Sequence, residues 1–103
     1  MKLLAVTACS MGVAHTFMAA EALEKAAREK GHDIKVETQG TTGIENRLTN
    51  DDIQAADTII LTNDIPIRER DRFTSLKIFN VSSTACIKQG PKIIEAIEKT
   101  LNK

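Results

Sequence analysis

Short apolar segments alternate with helical patterns along the whole chain. The predicted strands are residues 3–7, 34–38, 58–62 and 78–81. The first and third are almost continuous in Val, Ile and Leu, which is typical of strands that are covered on both faces. Strands that alternate with helices in this way predict an α/β domain with a parallel sheet and right-handed crossovers.

The helical segments have recognisable boundaries. Residues 17–30 place small and apolar side chains on one helical face. Gly31 follows at the position where a glycine commonly ends a helix. A short second helix is predicted from Thr49 to about Ala56, because side chains that accept hydrogen bonds open it. Pro91 marks the first turn of a last helix that has an apolar stripe of isoleucine and leucine.

These elements predict one open sheet of four parallel strands in the order 2-1-3-4, Rossmann-like, with helices on both faces. Ligands of such sheets bind beyond the carboxyl ends of the strands, where the strand order reverses. Here the reversal falls between strands 1 and 3, which places residues 9–16 at the ligand position. The loops 39–43 and 63–66 lie at the same edge and offer further candidates. Their candidate side chains are Gln39, Gly40 and Asp64. The glycines of the loop 39–43 serve equally well as simple turn residues.

Residues 9–16 are predicted to form a strand-to-helix turn, with Cys9 at its start, Gly12 inside it and His15 near its end. The N–H groups and the helix dipole at such a turn favour an anion. The same donors favour a thiolate over a thiol. We therefore predict that Cys9 is a nucleophile beside a phosphate-binding loop. The predicted loop residues are Ser10, Met11, Gly12, Val13, Ala14, His15 and Thr16.

Composition narrows the classes of function. The 14 basic and 14 acidic side chains balance, so nothing favours nucleic acid. No apolar run is long enough to cross a bilayer, and the start of the chain is too short for a signal peptide, so we expect a cytoplasmic protein with reduced thiols. Cys9 and His15 are too few ligands for a zinc site, and neither metal nor cofactor is expected. Cys86 has no polar setting and is predicted to be structural, while His32, beside a helix end, is predicted to be exposed.

The spacing of the loop bears on the reaction class. Cys9 and His15 are separated by five residues, as are the nucleophile and the arginine of the C-x5-R cysteine phosphatases. That arginine holds the phosphate with a bidentate fork, which a histidine lacks. The loop is therefore better suited to forming a thiophosphate than to hydrolysing it. A low-molecular-weight cysteine phosphatase stays open as the alternative. A third possibility is a non-catalytic regulatory domain with an unreactive thiol.

Residues 7–23 resemble the active-site loop and first helix of the fructose-type enzyme IIB domains. These domains belong to the bacterial phosphoenolpyruvate-dependent sugar phosphotransferase system. The further matching positions are residues 36–40, Gly43, Glu45, Asn46, Leu48, Thr49, Asp52, Ile53, residues 55–57, Asp64, Arg72 and Phe73. The resemblance covers nearly the whole chain, and residues 1–103 are accordingly read as one enzyme IIB domain.

Four positions depart from the family pattern. The family usually has proline after the cysteine, where this chain has Ser10, and often threonine next, where it has Met11. Thr62 and Asn63 replace a usual pair of small apolar residues. These departures leave room for a fructose-like paralogue with another sugar or partner.

The resemblance implies a phosphoryl carrier. A phosphohistidine of enzyme IIA is expected to transfer its phosphoryl group to Cys9. The S-phosphocysteine then phosphorylates fructose, or a fructose-like sugar, held by the membrane enzyme IIC. The implied location is the cytoplasmic face of the membrane, reached through enzyme IIC and without direct insertion. The identity of the sugar is expected to be set by that membrane partner.

Overall fold

The computed structural model describes residues 1–41 and 43–102. The strands are β1 (Lys2–Thr7), β2 (Asp33–Gly40), β3 (Gly43–Glu45), β4 (Thr58–Thr62) and β5 (Ile78–Val81). The helices are α1 (Val13–Glu29), α2 (Asn50–Ala55) and α3 (Ser83–Leu101), with a short 3₁₀ helix at Arg70–Phe73. None of the helices in these residues is long and apolar enough to span a membrane.

The five strands form one sheet in the order β3-β2-β1-β4-β5. β1 pairs in parallel with β2 and β4, and β4 pairs in parallel with β5. The predicted order of the four parallel strands is therefore confirmed. The predicted strand count is wrong, because Gly43–Glu45 turns back along β2 as an antiparallel edge. A strand of three residues is too short for its side-chain alternation to stand out in a sequence.

Both faces of the sheet are covered, as predicted. On one face, Leu3 and Ala5 of β1 belong to a core that packs against α1 and α3. On the other face, Leu4 and Val6 join a second core that includes Phe73 of the 3₁₀ helix. Successive residues of a strand point to opposite faces, so a strand between two cores is buried at every position, and β1 is apolar from Leu3 to Val6. This explains the unbroken burial of β1 after its first residue.

Two helices begin earlier than predicted. The first starts at Val13, four residues ahead of the predicted boundary, because Gly12 takes the cap position before it. The last starts at Ser83, well ahead of Pro91. Gln89 has non-helical torsions (φ −132°, ψ 30°), so α3 consists of two segments joined at a kink. Pro91 lies in the first turn of the second segment, where its missing N–H leaves no helical bond unmade.

At the end of α1, the prediction for Gly31 is confirmed and the prediction for His32 is wrong. Gly31 has a φ of 79°, the left-handed conformation expected of a glycine that ends a helix. His32, however, is largely buried rather than exposed. Its Nε2 lies 2.7 Å from Glu98 Oε2, and its Nδ1 lies 3.0 Å from the amino group of Met1. The helix α3, which is distant in sequence, covers this histidine.

A buried carboxylate ties several loops to β2. Glu37 is 0% exposed, and its oxygens accept hydrogen bonds from both terminal nitrogens of Arg72 at 3.0 and 2.9 Å. The Leu48 N–H and the Gln39 amide also donate to it, at 2.9 and 2.8 Å. Burial alone would raise the pKa of Glu37. The hydrogen bonds from Arg72, Gln39 and Leu48 outweigh burial and lower this pKa below its ordinary value of 4.5.

Replacing this carboxylate tests its role in stability. Glu37→Gln leaves Arg72 without its counter-charge and should lower the free energy of unfolding by about 3 kcal/mol at neutral pH. Because folding lowers the pKa of Glu37, its stabilisation is fully present above about pH 4.5 and is lost as the pH falls through the folded-state value. The difference between wild type and variant should therefore narrow in acid.

Denaturant titrations at neutral and acidic pH measure this difference. Glu69→Gln is the matched control, since it breaks an exposed ion pair with Arg47 and should shift the midpoint far less. A difference between wild type and Glu37→Gln that grows in acid would contradict the assigned role.

Candidate functional site

Cys9 lies just beyond the carboxyl end of β1, between the loops that follow β2 and β4. Thr62, the last residue of β4, anchors the residue before it. The Ala8 N–H donates to Thr62 Oγ1 at 3.0 Å, and the same hydroxyl donates to the Ala8 carbonyl at 3.1 Å. One side chain thus satisfies both backbone groups of a buried residue and fixes where the loop begins. The sequence marked Thr62 only as a departure from a family pattern.

The turn into α1 depends on Gly12. Its torsions (φ 114°, ψ 176°) belong to a region that only glycine adopts readily. Its N–H donates to the Cys9 carbonyl at 3.4 Å, which closes the turn. No side chain caps α1, and its first turn has no acidic residue. The N–H groups at the start of α1 have no partner within the helix and, with the helix dipole, favour an anion.

The Cys9 sulfur has polar neighbours from three directions. Sγ lies 3.4 Å from the Met11 N–H, 3.1 Å from His15 Nδ1 and 3.2 Å from Ser83 Oγ. The cysteine is partly exposed. A sulfur that can accept up to three hydrogen bonds and is reached by solvent suits a nucleophile better than a packing residue.

Ser83 links Asp64 to the cysteine. The Ser83 N–H donates to Asp64 Oδ2 at 3.0 Å, and the Ser83 hydroxyl also contacts this oxygen. A hydroxyl has a single proton. While it donates that proton to Asp64, its oxygen can accept only from the Cys9 thiol or from His15 Nδ1, which lies 3.3 Å away. Asp64, a candidate from the sequence, therefore reaches the sulfur through Ser83. Ser83 itself was missed, because it lies 74 positions from Cys9 and no local pattern joins the two.

Gln39 does not contact the cysteine but holds a neighbouring loop. Its Oε1 accepts from the Arg68 N–H at 2.8 Å, and its Nε2 donates to the Arg68 carbonyl at 3.0 Å. The same Nε2 donates to Glu37. Gly40 comes close to the first turn of α1, since a Cβ on it would meet Val13 Cγ2 at 3.8 Å. Thr42, in the same predicted loop, lies outside the described residues.

One cavity of about 300 Å³ joins these loops. The predicted site residues that border it are Cys9, Ser10, Gly12, Val13, Thr16, Gln39 and Gly40. Thr16 is buried, and its hydroxyl donates to the Gly12 carbonyl at 3.2 Å, so it supports the turn. A larger groove of about 430 Å³ lies at the other edge of the sheet, near Lys2 and Asp33, and neither cysteine nor histidine borders it. Within the described part of the chain, no three His, Cys, Asp or Glu side chains are grouped to hold a metal ion.

Cys86 contrasts with Cys9. It is 0% exposed in the core between the sheet, α1 and α3. Burial, together with the charge of Asp64, raises the pKa of the Cys86 thiol to about 12. Cys86 is therefore a neutral thiol at physiological pH, in agreement with a structural role.

The fold and this site define a class: a doubly wound α/β domain with a partly exposed cysteine over an uncapped helix N-terminus. The family model described as "PTS system, Lactose/Cellobiose specific IIB subunit" matches residues 4–96. The chain belongs to this family of IIB components of the phosphotransferase system. Its members are phosphotransferases, and the chain accordingly has a phosphoryl-transfer role in sugar uptake.

Individual relatives agree with this assignment. The PTS system fructose-like EIIB component 2 of Escherichia coli (strain K12) is 51% identical over 97% of this chain and 94% of the relative. A solution structure of an enzyme IIB subunit from Escherichia coli K12 has a TM-score of 0.92 at 46% identity, over 98% of this chain and 94% of that one. A domain of a fructose-specific IIABC component from Borrelia burgdorferi has a TM-score of 0.87 at 42% identity, over 98% and 93%.

The anchoring role of Thr62 is testable with an isosteric change. Thr62→Val leaves the N–H and carbonyl of Ala8 buried without a partner and should lower the free energy of unfolding by about 2 to 3 kcal/mol. It should also loosen the start of the loop and change the rate at which iodoacetamide alkylates Cys9.

Thr58→Val is the matched control. Thr58 is buried in the same strand, but its hydroxyl donates to the Lys77 carbonyl at the far end, at 2.6 Å. This variant should lose stability and keep the alkylation rate of wild type, both measured under conditions where each protein is folded. Equal alkylation rates in the two variants would contradict the role of Thr62.

Proposed function

We propose that Cys9 carries the phosphoryl group of this IIB component. It accepts the group from a phosphohistidine of enzyme IIA and passes it to a sugar bound by the membrane enzyme IIC. The observation that carries the proposal is the position of Cys9 Sγ, which lies within 3.4 Å of the Met11 N–H, His15 Nδ1 and Ser83 Oγ. The same sulfur stands beside the uncapped start of α1.

The two steps balance in bonds and protons. In the first, the P–N bond of the phosphohistidine breaks, a P–S bond forms, and the leaving imidazole nitrogen takes up the proton that the thiol gives up. In the second, a sugar hydroxyl attacks phosphorus, the P–S bond breaks, and the hydroxyl proton replaces the phosphoryl group. His15 Nδ1 lies within reach of the sulfur to relay the proton that leaves the thiol in the first step and returns to it in the second. The donors at the start of α1 stabilise the transferred charge.

Transfer without hydrolysis fits the loop better than a phosphatase reaction does. In C-x5-R phosphatases the residue at the position of His15 is an arginine that grips the phosphate. Here Nδ1 of His15 contacts the sulfur instead, at 3.1 Å. A loop that orients the phosphoryl group without an arginine guanidinium of its own favours transfer to the sugar over hydrolysis.

An exposed apolar surface supports docking of partner proteins at the thiol. Among the described residues, the exposed large hydrophobic side chains all come from the loop and α1. They are Met11 (74% exposed), Val13 (47%), Phe17 (38%) and Met18 (51%). Such clusters mark surfaces that bind other proteins. Enzymes IIA and IIC must reach the same sulfur, so we propose that they use this face in turn, at the cytoplasmic side of the membrane.

The proposed sugar is fructose or a fructose-like sugar. The family model is described by lactose and cellobiose, whereas the relative at 51% identity is named fructose-like. The name of the relative is the more specific guide to the sugar, because a family model spans sequences of several specificities. The Borrelia burgdorferi neighbour is named a domain of a fructose-specific IIABC component, which supports partners of types A and C.

Phosphorylation of Cys9 alone is the direct prediction. Incubation with phosphoenolpyruvate and the general phosphotransferase proteins should add one phosphoryl group to wild type, detected by intact mass and mapped to Cys9. Cys9→Ser should abolish transfer. Cys86→Ser should keep it, because Cys86 is buried and its thiol pKa is about 12. An adduct mapped to a histidine would overturn the assignment.

An aryl phosphate assay separates the proposal from the phosphatase alternative. A phosphatase would hydrolyse the substrate far above the background of Cys9→Ser, whereas a carrier should stay near that background.

Ser10 gives a further prediction. It borders the cavity and offers an N–H that a proline would lack. We predict that its N–H or hydroxyl joins the phosphate site. The unphosphorylated loop should be more mobile than the loop of relatives that have proline after the cysteine. Phosphorylation would then order the backbone of one more residue, at a cost of about 1 kcal/mol. Ser10→Pro should stiffen the free loop and still allow the Cys9 adduct to form.

Amide relaxation of residues 10–16, with and without phosphorylation, measures this ordering. Equal rigidity of the loop in both states, or loss of phosphorylation in Ser10→Pro, would show that Ser10 has another role.

A further inference from the structure

We propose that Arg68 supplies the guanidinium that binds the phosphoryl group on Cys9. This inference rests on the proposed function and deepens it. The loop 9–16 contains no arginine. An arginine nevertheless borders the cavity of the thiol, on the loop that follows β4.

The backbone of Arg68 is held in place by a buried side chain. Both its N–H and its carbonyl bond the amide of Gln39, at 2.8 and 3.0 Å. Gln39 is 4% exposed and is held in turn by Glu37. The carboxylate that binds Arg72 therefore also sets the distance between the Arg68 backbone and the cavity. Precise anchoring of one exposed loop residue through two buried side chains is more than chain reversal requires.

The side chain of Arg68 differs from those of the other arginines. Arg28, Arg47 and Arg72 each pair with a carboxylate, and Arg70 donates to Asn80 Oδ1. The guanidinium of Arg68 has neither an ion pair nor a hydrogen bond within residues 1–41 and 43–102. It is exposed, so both edges of its planar fork are available to a ligand.

A phosphocysteine needs charge compensation on more than one side. A phosphoryl group carries up to two negative charges and three acceptor oxygens. The N–H groups at the start of α1 approach the group from one wall of the cavity. Asp64, close to Ser83, adds negative charge nearby. Arg68 borders the cavity on a separate loop and offers two parallel N–H donors to the oxygens that the helix leaves free.

An arginine outside the nucleophile loop also agrees with transfer in place of hydrolysis. Its long side chain is exposed and can release the phosphoryl oxygens when a partner docks. The protein thereby has a guanidinium that can bind the phosphoryl group, although position 15 is a histidine and not an arginine.

The test compares two neighbouring exposed arginines. Binding of inorganic phosphate to the unphosphorylated protein is followed by the amide shifts of residues 10–16. Arg68→Gln should weaken phosphate binding about fivefold to tenfold, as expected for loss of a charge-assisted contact at a partly solvated site. Arg70→Gln removes the same charge two residues away. Its phosphate affinity should stay within about twofold of wild type, because Arg70 would act on the phosphate only through a long-range electrostatic interaction that salt screens.

Phosphoenolpyruvate-driven phosphorylation of the same three proteins, followed by intact mass over time, completes the test. Arg68→Gln should still be phosphorylated on Cys9, but more slowly than wild type and Arg70→Gln. Unchanged phosphate binding in Arg68→Gln would overturn the inference even if transfer slowed, because Arg68 would then contact the partner protein. An equal loss of phosphate affinity in Arg68→Gln and Arg70→Gln would also overturn the inference. If wild type is not phosphorylated on Cys9, the proposed function itself fails.

Discussion

The structure depends on how the chain passes from β1 into α1. β1 is the central strand between two cores, and the helix that follows must begin within a few residues of its end. Gly12 makes this turn possible with torsions that other residues avoid. The helix then starts without a side-chain cap, and its first N–H groups have no partner within the helix. An anion is the natural partner for such a helix start, and Cys9 is the residue beside it.

Two polar networks hold this junction from opposite sides. On the α3 side, Ser83 connects the Cys9 sulfur with Asp64. On the β2 side, Glu37 binds Arg72 and the Gln39 amide, which positions a loop at the cavity. Ser83, Glu37 and Gln39 are buried, and an unpaired polar group is costly there. They therefore stabilise the fold and place the groups around the thiol at the same time.

The site combines features of a carrier and of a phosphatase. It has the cysteine, the tight turn and the helix start of a phosphate-binding loop, with a histidine where phosphatases have their arginine. This histidine contacts the sulfur through Nδ1 and has no bidentate fork for the phosphoryl oxygens. The exposed apolar side chains around the loop suit a protein whose thiol must meet other proteins. These properties agree with membership in the IIB family.

The sequence alone determined the order of the four parallel strands and the helix after β1, because both follow from local patterns of apolar and turn residues. The choice of Cys9 as the nucleophile rests on the same kind of local pattern and stays a prediction. It did not reveal the edge strand β3, which is too short to show a pattern, or the start of α3 at Ser83. The pairing of His32 with Glu98 and the contact of Ser83 with Cys9 join residues 66 and 74 positions apart. Only the packing of α3 against α1 and the sheet brings such residues together, and no local pattern encodes it.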